Sequence, residues 1–259
     1  MPTTLWLKPA RCVRTIVLAN LLVIPSCISH AQVTSQPVRP YYARKNTFGV
    51  FFAYSGDSSH MLLGYAVNRR LLDIGAAYNR RLILDHVVNW QYSAEILPVA
   101  LESDPVESRT YTYTFSGPPG MQTETEQLIY AGACHAAPGS GSVPGFYSYT
   151  YTATCERRWT MGEAMSPAGF QWNFRPRRKL QPFLVAHGGY MFSTRPIPVP
   201  QAGSFNFTFD VGAGIEIFRA RTRSIRAGYR YHHVSNSDTA NQNPGIDSGL
   251  LQFTYSFGK

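Results

Sequence analysis

The sequence has no long apolar run beyond its N-terminus, and it carries few charges. Charged residues make up 15% of its 259 positions. A membrane-spanning helix needs about 20 consecutive apolar residues, and no stretch after the N-terminus approaches that length. The mature chain is therefore either soluble or crosses a membrane as a closed β-barrel, the one other structure that satisfies its backbone hydrogen bonds in lipid.

Cysteine is also scarce. Of the four cysteines, Cys12 and Cys27 lie in the N-terminal segment described below, which leaves Cys134 and Cys155. No Cys-x-x-Cys pair is present, so a structural zinc site has no support, and no carboxylate-rich cluster suggests calcium. An even pair in an exported protein favours a disulfide between Cys134 and Cys155.

Residues 1–31 have the layout of a secretory signal peptide. A basic start precedes a short apolar core over 15–24 and a small-x-small site at 29–31, which predicts cleavage before Gln32. Two alternatives remain open: a buried N-terminal helix, and a lipoprotein signal at Cys27, for which Pro25 is poorly placed. Residues 32–45 form an N-terminal segment that leads to the first strand.

The chain is basic, with a formal net charge of +9. Removal of Lys8, Arg11 and Arg14 with the signal peptide lowers this charge to +6. An exported basic protein is a poor candidate for binding nucleic acid, and anionic lipid or glycolipid at a membrane surface is the better acidic partner. A role of the charge in solubility alone is equally compatible.

Alternation of apolar and polar side chains with a period of two dominates the chain, and helical periodicity is rare. In 205–217, for example, the odd positions are apolar and the even positions are polar or glycine. Eight such segments lie at about 46–54, 71–82, 86–100, 167–176, 180–193, 203–218, 224–236 and 248–258. Strands of about nine or more residues with one aromatic-rich apolar face are typical of transmembrane barrels, whereas the strands of a soluble sandwich are shorter. The predicted fold is an all-β, eight-stranded antiparallel transmembrane β-barrel.

The connections between these predicted strands alternate in length. Those at 84–85, 177–179 and 220–223 are short, and the others are long, above all 101–166. Bacterial barrels have short periplasmic turns and long outer loops, so a barrel is expected over 46–259 with one long extracellular insertion at about 101–166. The threonine–aromatic runs within this insertion are expected to extend strands above the membrane, and their sequence indicates no function.

Three polar residues interrupt the outward apolar stripes near the outer rim. Alternation places His233 and Ser235 on the outward face of the seventh predicted strand and Asp247 on that of the eighth. Polar groups are costly there, and serine, imidazole and carboxylate are the groups that acyl transfer uses. The amides of Asn236 and Asn243 are candidate oxyanion donors. The alternative is that all five are ordinary headgroup-level residues of a barrel rim.

Two further histidines lie in predicted strands. His232 has the parity of the lumen face and is expected to be an interior side chain. His187 is an outward-facing candidate on the fifth strand. It is the weaker candidate for chemistry because no serine lies two residues away.

The motif His233-x-Ser235-Asn236, followed by Asn243-Pro244-Gly245 and an acidic residue at position 247, resembles the PagL family of lipid A 3-O-deacylases. The similarity is sharp over about 226–258, architectural over 46–100 and 167–218, and absent from 101–166. The family fold is an eight-stranded barrel with a Ser-His-acid triad facing the outer leaflet. The resemblance implies Ser235 as the nucleophile, His233 as the general base and Asp247 as the acid, with Asn243 in the oxyanion hole. In the best-known members the acid is glutamate, so Asp247 is one methylene shorter.

The resemblance further implies an outer-membrane esterase that removes an ester-linked acyl chain from lipid A. Its partner would be lipid A or lipopolysaccharide in the outer leaflet of a Gram-negative bacterium, and no cofactor or metal is implied. The competing prediction is a non-catalytic structural or adhesive outer-membrane barrel. A small channel is a third alternative, although eight strands leave little lumen.

Overall fold

The structure, a computed structural model, describes residues 41–115, 122–131 and 134–259. The predicted signal peptide and most of the segment 32–45 lie outside the described residues. The described residues form ten strands: β1 Asn46–Ser55, β2 Arg70–Leu84, β3 Val88–Phe115, β4 Gln122–Ala131, β5 Gly139–Val143, β6 Tyr147–Phe174, β7 Leu180–Ser193, β8 Phe205–Ala220, β9 Arg223–Ser235 and β10 Ile246–Gly258. No helix in this part of the chain is long and apolar enough to cross a membrane.

Eight of the ten strands close into an antiparallel ring. The order around the ring is β3, β2, β1, β10, β9, β8, β7 and β6, and β6 pairs back onto β3. Closure gives every strand of the ring two neighbours, so the ring has no open edge. The predicted all-β fold built on eight antiparallel ring strands is therefore confirmed.

Alternation along each strand decides which side chains face the interior. At the start of β3 the alternate positions Asn89, Gln91, Ser93 and Glu95 are buried. On β8 the outward positions Phe207, Phe209, Val211, Ile215 and Ile217 are exposed. A polar interior and an apolar exterior are what a barrel in lipid requires.

Ion pairs fill much of the interior. Arg230 on β9 binds Glu95 at 2.8 Å and Asp210 at 3.2 Å. Nearer the short turns, Arg44 enters from the N-terminal side and binds Glu216 at 2.6 Å. Each buried cation thus faces a carboxylate, which offsets the cost of removing both charges from water.

The prediction for His187 is wrong, and that for His232 is confirmed. His187 is 2% exposed and contacts Ser93 at 2.9 Å and Asp210 at 3.2 Å inside the ring. Strand β7 has apolar residues of both parities, with Val185 buried and Leu184 exposed. Its alternation therefore cannot distinguish the two faces. His232 lines the interior.

Most of the described residues of the segment 101–166 lie in strands. Strands β3 and β6 pair from Val88–Phe174 to Phe115–Tyr147, far beyond the ring. Strand β4 pairs with the outer part of β3, and β5 pairs with β6. The predicted disulfide between Cys134 and Cys155 is present, and it links the segment before β5 to β6.

The two ends of the ring differ, as the turn lengths predicted. At the short-turn end, Asp85 accepts hydrogen bonds from the backbone N–H groups of Val87 and Val88, at 2.6 and 2.7 Å. These two hydrogen bonds, of which that from Val88 has the larger effect, hold the pKa of Asp85 below its ordinary value. The long-loop end carries β4, β5 and the outer parts of β3 and β6. It also carries the connections 56–69, 194–204 and 236–245.

Candidate active site

The pairing of β9 with β10 places two of the predicted residues side by side. In the antiparallel register His233 lies directly opposite Asp247, at the long-loop end of both strands. Both have the parity of the outward positions, such as Tyr229 on β9 and Leu251 on β10, which are exposed. Side chains at directly opposed positions lie about 5 Å apart at Cβ, so an aspartate reaches the imidazole without a longer side chain.

The backbone beneath these residues is fixed from inside the ring. Val234 and Ile246, the inward neighbours of His233 and Asp247, are 2% and 0% exposed. They belong to an apolar cluster with Ala66, Ala100, Met191 and Ile197. Close packing of such a cluster resists movement of the two strands, so the outward side chains are held on a rigid support.

The Asp247 carboxylate is fully buried and accepts four hydrogen bonds. Its Oδ1 accepts from His233 Nδ1 at 2.7 Å and from the Tyr231 hydroxyl at 2.8 Å. Its Oδ2 accepts from the backbone N–H groups of Leu62 and Leu63, at 2.7 and 2.8 Å. A carboxylate with four donors is stabilised in its charged form, and it fixes the proton of His233 on Nδ1.

Asp247 is buried although it faces outward because residues 59–67, hereafter the 59–67 loop, cover it. The backbone of Gly64 lies against the Asp247 side chain, and a Cβ at position 64 would stand 2.6 Å from Asp247 N and 2.9 Å from Oδ1. Only glycine permits this approach. The covering segment comes from the β1–β2 connection, far from β10 in sequence.

The Asn243-Pro244-Gly245 turn packs against the other side of the imidazole. Gly245 has φ of +59°, a conformation that favours glycine. A Cβ on Gly245 would lie 3.1 Å from His233 Cε1. The ring of His233 is thus held between its Asp247 partner and this turn, and it is 9% exposed.

Ser235 lies on the same face of β9, two residues beyond His233, and is partly buried. Among the described residues no hydrogen bond joins Ser235 Oγ to His233, so the structure brings together two members of the predicted triad and places the third nearby. Nucleophile–base contacts are often long before a substrate binds. The Nε2 atom of His233 has no hydrogen-bond partner within the described part of the chain and remains available to Ser235.

The two candidate oxyanion residues have different surroundings. Asn236 is 1% exposed, and its side-chain NH₂ donates to the carbonyls of Ala202 and, at 2.7 Å, Gln242. This amide closes the turn after β9 and has no donor left for a substrate. Asn243 uses its Oδ1 to accept from Asn236 N at 3.1 Å, which orients its own NH₂ group and leaves it unused among the described residues.

Sequence reasoning missed three contributors to this site. Tyr231 has the parity of the outward face of β9, and its hydroxyl donates to Asp247. Leu62 and Leu63 act through backbone N–H groups, which every residue except proline has. The one sequence signal available was the apolar, uncharged run around Gly64.

A second polar cluster lies inside the ring, away from this site. Glu95, His187 and Asp210 each offer a ligand atom within 4.8 Å of one another. The Arg230 guanidinium already binds both carboxylates there. This cation does the work that a metal ion would do, so the cluster is a buried ion-pair network.

Comparison with known proteins finds one family whose model matches part of the chain. Residues 136–256 match the family model described as "Lipid A 3-O-deacylase (PagL)". This range contains β5 to β9, most of β10, and all of the candidate residues on β9, β10 and the turn between them. The resemblance to the PagL family is therefore confirmed over residues 136–256. The expectation that nothing within 101–166 resembles the family is wrong for residues 136–166, which the matched range includes.

Solved structures of outer-membrane proteins are similar to this chain at low identity. The outer membrane enzyme PagL has 12% identity and a TM-score of 0.46, and the match covers 82% of this chain and 99% of that one. Neisserial surface protein A has 12% identity and a TM-score of 0.39, with 83% and 97% covered. OprG from Pseudomonas aeruginosa has 7% identity and a TM-score of 0.36, with 85% and 100% covered. No curated protein matches the chain.

Proposed function

We propose that this protein is a lipid A deacylase of the Gram-negative outer membrane, and that it hydrolyses the ester-linked 3-O-acyl chain. The observation that carries the proposal is the 2.7 Å hydrogen bond between His233 and Asp247 on the outward face of the barrel. The family model matched by residues 136–256 supports the substrate. The proposed orientation places the long-loop end outside the cell, together with β4, β5 and the outer parts of β3 and β6.

In the proposed reaction His233 acts through Nε2 as the general base for Ser235. Asp247 keeps the proton of the imidazole on Nδ1 and stabilises the positive charge that forms when Nε2 accepts a proton. Ser235 Oγ attacks the ester carbonyl, and the sugar hydroxyl leaves with the proton from His233. Water then hydrolyses the acyl-enzyme with His233 again as the base.

Asn243 is the better oxyanion donor of the two asparagines. Its NH₂ group is free among the described residues and its Oδ1 is anchored by Asn236 N. A preoriented donor stabilises the developing oxyanion without reorganising during the reaction. Asn236 acts instead as the residue that orients Asn243 and closes the turn.

The test is mass spectrometry of lipid A from Gram-negative cells that express the protein. We expect loss of the mass of one hydroxyacyl chain, and we expect Ser235→Ala and His233→Ala to abolish that loss. Ser142→Ala in the segment beyond the ring and His86→Ala at the short-turn end are the matched controls, since both residues are exposed and distant from the site. An unchanged lipid A profile with correctly inserted protein would favour the non-catalytic barrel instead.

A further inference from the structure

The 59–67 loop presents an unusual amount of apolar surface. Five of its side chains are exposed, by 41% to 70%: Met61, Leu62, Leu63, Tyr65 and Val67. The loop contains no charged residue. Exposed clusters of large apolar side chains in a connection mark a contact with lipid, ligand or partner.

The loop is firmly attached to the site. Backbone hydrogen bonds join Tyr65 N to Pro244 O at 2.6 Å and Ala66 N to Gly245 O at 3.0 Å. Ala66 also forms a parallel bridge with Ile246. The exposed apolar side chains are therefore projected from a held backbone.

An internal contact shapes the tip of the loop. The rings of His60 and Tyr65 stack at 4.5 Å, and His60 Nδ1 donates to Gly64 O at 2.7 Å. This contact folds the chain back on itself, and it turns the Leu62 and Leu63 N–H groups toward Asp247 while their side chains point away. Leu62 and Leu63 therefore donate to the Asp247 carboxylate through their backbone N–H groups, while their side chains are exposed on the outside of the loop.

The surroundings of the loop are apolar as well. Tyr229 and Leu251, which follow the site down the outward face of β9 and β10, are 51% and 54% exposed. The loop continues this apolar face past the rim, beside His233 and Ser235. A hydrocarbon chain is the one occupant that matches a surface with no charge and with continuity to the lipid-facing strands.

We propose that the side chains of Leu62 and Leu63 bind the acyl chain whose ester Ser235 attacks. The inference rests on the proposed function and assigns the loop a role in recognising the chain. The loop then acts twice: its backbone positions Asp247, and its side chains hold the fatty acyl group next to the nucleophile.

The two roles are separated by three variants in the full-length protein. Leu62→Gln/Leu63→Gln removes the apolar side chains and keeps the backbone donors. Gly64→Ala keeps the side chains and pushes a Cβ against Asp247. Leu82→Gln is the matched control, a leucine of 48% exposure near the short-turn end of β2.

Each variant is assayed on a long-chain ester, lipid A in mixed micelles, and on a short-chain soluble ester, p-nitrophenyl butyrate. For Leu62→Gln/Leu63→Gln we expect kcat/KM on lipid A to fall about tenfold or more, mainly through KM, because apolar contacts with a chain give discrimination of this size. The short ester has little chain to contact these side chains, so its kcat/KM should fall less, and the ratio of kcat/KM on lipid A to kcat/KM on the short ester should fall severalfold. Gly64→Ala should lower kcat on both esters, and Leu82→Gln should change neither.

A parallel readout does not need hydrolysis. A glycolipid with a photoreactive acyl chain is crosslinked to the Ser235→Ala protein, and the labelled peptide is mapped. Label on 59–67 that is lost in the double glutamine variant supports the acyl site. This holds even if lipid A is never cleaved, since the absence of cleavage would overturn only the proposed function. Label elsewhere, or an equal loss of activity on both esters in Leu62→Gln/Leu63→Gln, would overturn the acyl site while deacylation stands.

Discussion

Asp247→Asn replaces one oxygen of a fully buried carboxylate with an NH₂ group, and the surroundings of that atom make the consequence calculable. Oδ1 faces two donors, His233 and Tyr231, and Oδ2 faces two more, the N–H groups of Leu62 and Leu63. Whichever way the amide turns, its NH₂ group points at two donors. If it faces Leu62 and Leu63, both backbone donors lose their acceptor. If it faces His233, the imidazole can accept from it only as the tautomer that carries its proton on Nε2.

The magnitude follows from the cost of buried unsatisfied donors. Each costs about 1–3 kcal/mol, so the orientation that faces Leu62 and Leu63 predicts a loss of roughly 2–6 kcal/mol in the free energy that holds the 59–67 loop on the barrel. For catalysis, a triad whose carboxylate becomes an amide loses the correct imidazole tautomer, which costs roughly ten-thousandfold in kcat. That factor corresponds to about 5 kcal/mol of transition-state stabilisation.

The assay is release of the acyl chain from lipid A by purified protein, with kcat and KM measured separately. Asp85→Asn is the matched control, because Asp85 also accepts two backbone N–H hydrogen bonds and lies at the opposite end of the ring. Correct folding is checked by the different gel mobility of heated and unheated barrel. A folded Asp247→Asn protein with kcat within about threefold of the wild type would refute the role of Asp247 as the acid.

Three further predictions use the same structure. Asp247→Glu should lower kcat on lipid A, because the added methylene has no room beneath the covering loop; an unchanged kcat would contradict this packing. Arg230→Met should destabilise the barrel by about 3–5 kcal/mol in urea unfolding, since it leaves two buried carboxylates unpaired, and Arg230→Lys should lose less; equal losses would count against the ion-pair network. Replacing Cys134 and Cys155 with serine should remove roughly 3 kcal/mol from the strands beyond the ring, given their separation of 21 residues; limited proteolysis should then cut there while deacylation persists, and loss of deacylation would show that this segment supports the site.

Part of the candidate site could be predicted from local patterns. The period of two in β9 and β10 is enough to place His233, Ser235 and Asp247 on the outward face, because parity is a property of each strand alone. The turn residues Asn243-Pro244-Gly245 also indicate where the chain can return toward His233. The face and the turn are local features, and the sequence predicts them, whereas the register that sets Asp247 opposite His233 comes from the pairing of β9 with β10.

Other assignments needed the neighbours of each residue. His187 has apolar residues on both sides of its strand, so its direction is decided by the polar interior that it meets, Ser93 and Asp210. The sequence alone does not distinguish Asn236 from Asn243 as an oxyanion donor, because both are asparagines near the same turn. Only the carbonyls of Ala202 and Gln242 show that one amide is already used.

What the sequence by itself determined is the all-β class, the eight ring strands, the face of each candidate residue on β9 and β10 and the cysteine pair, because alternation and composition are short-range signals. What only the tertiary structure decided is the environment of Asp247. The donors from Leu62 and Leu63 are backbone groups that have no signature in the sequence, and they reach Asp247 from a loop almost two hundred residues away along the chain. Such a contact exists only once the ring has closed and β1 lies beside β10. The burial of Asp247 beneath the 59–67 loop is therefore a property of the tertiary structure alone.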